Sequence, residues 1–317
     1  MSLDCLSVGI LVADHLCDPI DHLPKAGELV LAERLPLAIG GCASNVAIDL
    51  ARLGARVGIV GCVGHDAFGR FIVETLRDGG VDTTDIHELD GIETSGTLIV
   101  NVRGEDRRFI HTVGANAHLT TEHISQERMR QARVFYVGGY LLMPAIDPEK
   151  LAQQFRLARA AGVKTVLDIV LPGPGDHMAK LAPVLAETDV FLPNTDEAAV
   201  ITGLTDPVKQ AECFLNAGAR TAVITCGGEG SVLISDELRI RAGAFPVDYR
   251  GGTGSGDAFD AGYIVGLIEG LDPVGCLTWG AAIGASCVRS VSATESVFSR
   301  VEAEAFLREH SLTIERI

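Results

Sequence analysis

The 317-residue chain is short of lysine, with five, and of aromatic residues, with one tryptophan and four tyrosines. Its 26 Lys and Arg face 42 Asp and Glu, a formal net charge of −16, and no run of cations occurs anywhere. That balance argues against nucleic acid or an anionic membrane as partner, because both are bound through basic patches that displace counterions. No apolar run approaches the roughly 20 residues of a membrane span. Residues 1–12 lack a basic n-region and a small-residue cleavage site, so no signal peptide is read there. Eight cysteines include no C-x-x-C pair and sit mostly in apolar stretches, as buried free thiols do, which speaks against a disulfide framework. These absences point to a cytoplasmic protein. Also missing are G-x-x-x-x-G-K-[ST], which excludes a P-loop, and a G-x-G-x-x-G after the first strand, which leaves a Rossmann dinucleotide site poorly supported.

What is present is an ordinary globular composition, 47 % hydrophobic and 21 % charged, with 36 glycines that often pair at apparent strand ends. Residues 6–12 read as a strand. Residues 43–53 carry apolar positions at helical spacing and close on Gly54. A strand at 56–60, a loop at 61–68 and a helix at 69–77 complete a β-α-β-α opening, which implies a parallel sheet. Residues 97–102 and 107–112 flank the polar turn Arg103-Gly104-Glu105-Asp106, a hairpin inserted into the alternating chain. Alternation then resumes, with strands at 134–137, 164–169, 190–192 and 221–225 and helices at 148–161, 207–217, 257–269 and 273–289. One domain, 1–317, explains this order, with lid segments at about 15–38 and 94–112.

Four polar clusters sit where a strand or loop gives way to the next element. Gly251-Gly252-Thr253-Gly254-Ser255-Gly256-Asp257 runs into an apolar helix, so successive N–H groups can converge on an anion at its positive end. A carboxylate repels phosphate, so Asp257 makes sense there as a base toward an attacking alcohol, or else as a charge on the first helical turn. Gly40-Gly41-Cys42-Ala43-Ser44-Asn45 opens another helix; Asn45 offers donor and acceptor to hydroxyls, while a plain turn capped by Ser44 is the alternative. Pro193-Asn194-Thr195-Asp196-Glu197 follows a strand, at the carboxyl end where open α/β sheets bind ligands. Its oxygens suit hydrated magnesium or a helix cap. Thr225-Cys226-Gly227-Gly228-Glu229-Gly230 is either a nucleotide loop or a hairpin turn.

Taken in chain order, these residues resemble the ribokinase-like (PfkB-type) carbohydrate kinases, from Gly9 and Asp14 to about Ser296. Gly40 through Asn45 is similar to that family's G-G-x-x-x-N, and residues 61–69 to its G-x-V-G-x-D-x-F-G. Gly114-Ala115-Asn116 matches a G-A-N, Asn194 to Glu197 an N-x-x-E, and Gly251 to Asp257 a D-T-T-G-A-G-D. The resemblance implies a three-layer α/β fold, a mostly parallel central sheet between helices, with a small β-lid. It implies ATP and Mg2+ as cofactors and phosphorylation of a hydroxymethyl group on a small sugar-like alcohol. By it, Asp257 is the base and the N–H groups of Gly254, Ser255 and Gly256 form the anion hole. Asn194 and Glu197 hold magnesium through its waters, Thr225, Gly227 and Gly230 lie along the nucleotide, and Asp14, Gly40, Gly41 and Asn45 bind the sugar.

Three departures bear on detail. Gly251 stands in place of an Asp that helps hold a monovalent cation, Gly252 replaces Thr or Pro, and Ser292-Ala293 replaces a G-A although Ser296 still fits the cation loop; a monovalent cation is left open. Val12 stands where ribokinase has an Asn that touches ribose, which weakens ribose as the acceptor. Arg107 and Arg108 read as a solvated turn or as partners of an acidic or phosphorylated sugar. A nucleoside kinase of the same fold needs an apolar slot, and the hairpin offers one aromatic, Phe109. A catalytically silent sugar- or nucleotide-binding protein has no use for Asp257. A homodimer through the lid is what the resemblance implies, since lids of that family often pair, and residues 29–37 supply apolar strand material for it.

Overall fold

Short runs of valine, isoleucine and leucine bounded by glycine or polar residues become strands because branched side chains pack well on a pleated surface. The computed structural model describes residues 2–105 and 107–317. Met1, where the expected domain begins, and Asp106, in the expected hairpin turn, lie outside the described residues. The strands are β1 (Cys5–Gly9), β2 (Val12–Ile20), β3 (Leu37–Gly40), β4 (Val57–Gly64) and β5 (Asp82–Leu89). They continue as β6 (Gly96–Val102), β7 (Arg108–Thr112), β8 (Val134–Gly138), β9 (Lys164–Leu167) and β10 (Val190–Phe191). The last four are β11 (Thr221–Thr225), β12 (Ser231–Ser235), β13 (Arg239–Ala242) and β14 (Ile314–Arg316).

The main sheet has the order β14-β13-β12-β11-β10-β9-β8-β1-β4-β5. Its strands are parallel from β11 through β5, while β12, β13 and β14 pair antiparallel at one end. Every residue of β1, β4 and β8 is buried, as expected of parallel strands covered on both faces.

Among the described residues ten α-helices supply the cover: α1 (Cys42–Arg52), α2 (Ala67–Asp78), α3 (Gln126–Gln131), α4 (Pro148–Ala160) and α5 (Met178–Leu185). The others are α6 (Thr195–Thr202), α7 (Pro207–Asn216), α8 (Ser255–Glu269), α9 (Pro273–Cys287) and α10 (Arg300–Glu309). Val46, Leu50, Ile72, Leu76 and Ile264 belong to one core, and Phe155, Leu181 and Phe214 to the other, so the sheet lies between two helical layers. Each such side chain contributes about 1.5–3 kcal/mol by leaving water. Among the described residues no helix is long and apolar enough to cross a membrane.

A second sheet, ordered β3-β2-β6-β7, has a small core of Cys17, Ile20 and Val102. Residues 21–36 between β2 and β3 form no strand, and Leu29, Leu31 and Leu35 on them are exposed. Asp66, which caps α2, ties this sheet to the main one by accepting from the Gly69 N–H (2.8 Å), the Thr94 N–H (2.8 Å) and the Thr94 hydroxyl (2.7 Å).

Two expected elements differ. The strand read at 6–12 is two strands in two sheets, broken where Asn116 grips Leu11: its Oδ1 accepts from the Leu11 N–H at 3.0 Å and its Nδ2 donates to the Leu11 carbonyl at 2.9 Å. The matched G-A-N therefore places a backbone clamp on the strand break. The loop expected from 61 begins later, because β4 runs on to Gly64.

Candidate active site

Carboxyl ends of parallel strands gather the chain's polar loops on one edge of the sheet, and the ends of β8, β9, β10 and β11 do so here. An isolated parallel bridge sets Asn194 beside Thr225, and the Thr225 N–H donates to the Pro193 carbonyl at 3.1 Å. Beyond Thr225 the chain turns tightly, with the Cys226 N–H on the Gly230 carbonyl at 2.8 Å and positive φ at Gly227 and Gly230.

Asn194 and Glu197 form a reciprocal cap on α6. The Asn194 Oδ1 accepts from the N–H groups of Asp196 (3.0 Å) and Glu197 (2.9 Å), and Glu197 Oε2 accepts from the Asn194 N–H at 3.0 Å. The cap leaves Glu197 Oε1 outside the reciprocal bond. Glu197 is partly covered from solvent, yet loss of hydration pushes its carboxyl up to about 7.

Gly254 is the N-cap of α8 at φ 76°, and a Cβ there would stand 2.6 Å from the Ala293 carbonyl oxygen, so only glycine fits. The Ser255 N–H leans on the Gly252 carbonyl at 3.3 Å, and the Ser255 hydroxyl donates to the same carbonyl at 3.0 Å. Gly256 is exposed at the start of the helix. One turn in, Asp257 keeps partial exposure. Its carboxyl is raised by burial and lowered by the hydrogen bond from Asn45 and by the neighbouring Cys42 thiol.

The second glycine pair meets this loop. Gly41 is the N-cap of α1 at φ 92°, again without a side-chain cap. Ser44 does not cap it; the Ser44 hydroxyl donates back to the Gly40 carbonyl at 2.5 Å. Asn45 is buried and its Nδ2 donates to Asp257 Oδ2 at 2.8 Å, joining residues 212 apart in sequence, while its Oδ1 has no partner. Asp14, on β2, lies over Gly40, where a Cβ would stand 2.0 Å from Asp14 Oδ2. Burial first, then the charge of Asp257, raises the Asp14 carboxyl to about 6 against a hydrogen bond from Thr97.

Four further acidic or thiol groups crowd the same place; one, Cys42, is an unassigned position of the Gly40–Asn45 motif, and the other three lie in no motif. Cys42 Sγ and carboxylate oxygens of Asp168 and Asp257 lie within 4.8 Å of one another. Asp168 Oδ2 accepts from the Gly139 N–H at 3.2 Å and the Tyr136 hydroxyl at 3.5 Å, and Asp260 Oδ2 accepts from that hydroxyl at 3.0 Å. Asp49 is fully buried with both oxygens unpartnered. Burial drives Asp49, Asp168 and Asp260 well above the usual carboxylate range. A signal existed for Asp168: an aspartate inside an expected apolar strand, 164–169, is costly unless it serves a site. Of the hairpin arginines, Arg108 pairs with Glu105, while Arg107 Nη1 lies 3.5 Å from where a Cβ on Gly252 would stand.

The arrangement places a carboxylate beside a glycine-opened helix start, with the Asn45 amide opposite, and it has parallels. The sequence pattern of the pfkB family carbohydrate kinases matches residues 2–299. A ribokinase of Haemophilus influenzae is 29% identical over 310 residues, 96% of this chain and 98% of that protein. An aminoimidazole riboside kinase of Salmonella typhimurium is 30% identical over 262 residues, 80% of this chain and 79% of that protein. Among solved structures, Arabidopsis thaliana ribokinase complexed with ribose and ATP has the same fold, with a TM-score of 0.83 at 24% identity over 97% of this chain and 99% of that one. The chain belongs to the pfkB family of carbohydrate kinases.

Proposed function

We propose that this kinase moves the γ-phosphate of ATP to a hydroxymethyl group of a small sugar or sugar-like alcohol, with Asp257 as the general base. The observation that carries the reading is the 2.8 Å bond between Asn45 and Asp257, which brings the hydroxyl-binding helix start and the anion-binding helix start to one point. In this reading Asp257 takes the acceptor's O–H proton, the freed oxygen bonds to the γ-phosphorus, and the bond to the β,γ-bridging oxygen breaks to release ADP. Phosphoryl transfer asks the protein mainly for position and charge stabilisation. N–H groups of Gly254, Ser255 and Gly256 would stabilise the transferring group, and the unpartnered Asn45 Oδ1 with Asp14, Gly40 and Gly41 would hold acceptor hydroxyls.

Thr225, Gly227 and Gly230 would lie along the nucleotide, next to Asn194 across the strand bridge. The donor set fits magnesium: Glu197 retains Oε1 beside Asn194, hard oxygen ligands for a hydrated ion that neutralises phosphate charge. The second sheet would close over a single domain as a lid that excludes water. Phe109 and Ile110, exposed on its β7, with Leu29 and Leu31, exposed on the segment that joins β2 to β3, support pairing with a second copy, which sedimentation would detect as a homodimer. Eight free thiols suit the reducing cytoplasm.

A coupled ADP-release screen over aldoses, ketoses, sugar acids and nucleosides tests the reading. Magnesium-dependent ADP release with a neutral sugar supports it; release with nucleosides alone, or with no acceptor while ATP still binds, contradicts it.

A further inference from the structure

Asp257 stands in an acidic neighbourhood. Asp14 from β2, Asp49 from α1, Tyr136 from β8, Asp168 beyond β9, Glu197 from α6, Asp260 from its own helix and Cys287 from α9 all feel its charge. The nearby cations are Arg52, which acts on Asp49, and Arg107 near Gly252, which acts on Cys287. Carboxylates packed this way favour taking a proton, and a protonated Asp257 is no base. Two neutral donors work in the other direction. Asn45 reaches Oδ2 at 2.8 Å, and Cys42 lies three residues earlier on α1, on the same helical face, with its Sγ within 4.8 Å of the Asp168 and Asp257 oxygens. Burial and the two carboxylates keep the Cys42 thiol protonated, so it stays a donor. Its 7 % exposure leaves it facing the cluster rather than bulk solvent.

We infer that Cys42 is a positioning residue for phosphoryl transfer: its S–H, together with the Asn45 amide, holds the Asp257 carboxylate toward the acceptor. The inference rests on Asp257 being the base. The residue acts through Asp257. A thiol that merely fills space at the start of α1 would look the same in sequence, but alanine and serine would then replace it equally well.

The experiment compares Cys42→Ser, Cys42→Ala and Cys42→Val in the full-length enzyme, with Asp257→Asn alongside. Serine keeps an O–H donor of similar size, and valine keeps the bulk without a donor. Loss of the donor should lower kcat about 10-fold in the alanine and valine variants, with serine near wild type. The acid limb of kcat/KM should move up by about one pH unit in alanine and valine, because a less supported carboxylate ionises later. KM for ATP and the thermal midpoint should not separate serine from alanine. Equal kinetics and equal acid limbs in the serine and alanine variants overturn the inference, as does wild-type behaviour of valine. Near-normal turnover of Asp257→Asn would sink the base itself, whereas loss of turnover there with wild-type kinetics in Cys42→Ala sinks only the role of Cys42.

Discussion

Helices α1 and α8 begin differently from most of the others. Asp66, Ser125, Asp147, Asn194, Asp206, Asp272 and Ser299 cap α2, α3, α4, α6, α7, α9 and α10 with side-chain oxygens that accept from first-turn N–H groups. At α1 and α8 the cap is a glycine at positive φ with no side-chain bond. A capped start gives first-turn donors to a side chain; a glycine start leaves them without a side-chain acceptor. The two glycine starts also meet, through Asn45 and Asp257. What separates them is the first turn: α1 carries neutral donors at 42 and 45, and α8 carries an acid at 257. Complementary first turns, more than either glycine motif alone, are what the proposed proton transfer beside an anion would use at this edge of the sheet.

The contrast can be broken at either partner. Asp257→Asn should lower kcat by roughly 10²–10⁴-fold while KM for ATP changes far less, and steady-state kinetics would show it; a small effect on kcat removes the acid from α8's side of the comparison. Asn45→Ala removes a hydrogen bond to a charged group, so kcat should fall roughly 10–100-fold. If only the acceptor KM rises, Asn45 binds sugar without supporting the base.

Asp14 sharpens the comparison through stability. Its carboxyl sits at about 6 when folded, against an ordinary 3.8. Folding therefore favours the protonated form, and stability is fully present below the unfolded value and declines as pH rises through the folded one. Asp14→Asn should thus gain about 1–2 kcal/mol of stability at neutral pH, lose the gain in acid, and bind the acceptor less well. Denaturant unfolding at two pH values checks the first part.

The smallest expected effect concerns the loop under α8. Residue 251 has no carboxylate, the N–H groups of Arg250 (2.8 Å) and Gly251 (3.2 Å) donate to the Val288 carbonyl, and the single S–H of Cys287 is shared between the carbonyls of Ala293 (3.0 Å) and Thr253 (3.3 Å). With these oxygens already taken by the protein, replacing potassium by a large organic cation should leave turnover unchanged. Strong potassium activation would show that the loop rearranges to free them.

Much of this was readable from residue order. The strand at 221–225 and the parallel β/α run from 134 onward follow apolar runs of strand length, and both glycine motifs open helices as their composition implies. Other elements carried no such signal. β5 holds Asp, Thr, Asp, His and Glu and is half-exposed at the sheet's edge, so it lacks an apolar run. β4 was cut short because glycine reads as a loop; Gly61 is there because a Cβ would stand 2.0 Å from Leu11 Cδ1. Asn116, matched in sequence only as the end of a G-A-N, is bound to Leu11 on both sides, and Asn194 with Glu197 forms a helix cap that the sequence also allowed. Cys42 and Asp168 escaped notice because their meaning lies in proximity to Asp257, across more than 200 and nearly 90 residues of chain, which no local pattern encodes.

The most direct test is a crystal structure of the complex with an accepted sugar and a non-hydrolysable ATP analogue. The account predicts the acceptor hydroxymethyl oxygen at about 2.6–3.2 Å from an Asp257 oxygen, with the γ-phosphate facing the N–H groups at the start of α8. An acceptor hydroxyl lodged elsewhere, with Asp257 turned from it in the closed complex, would contradict the account.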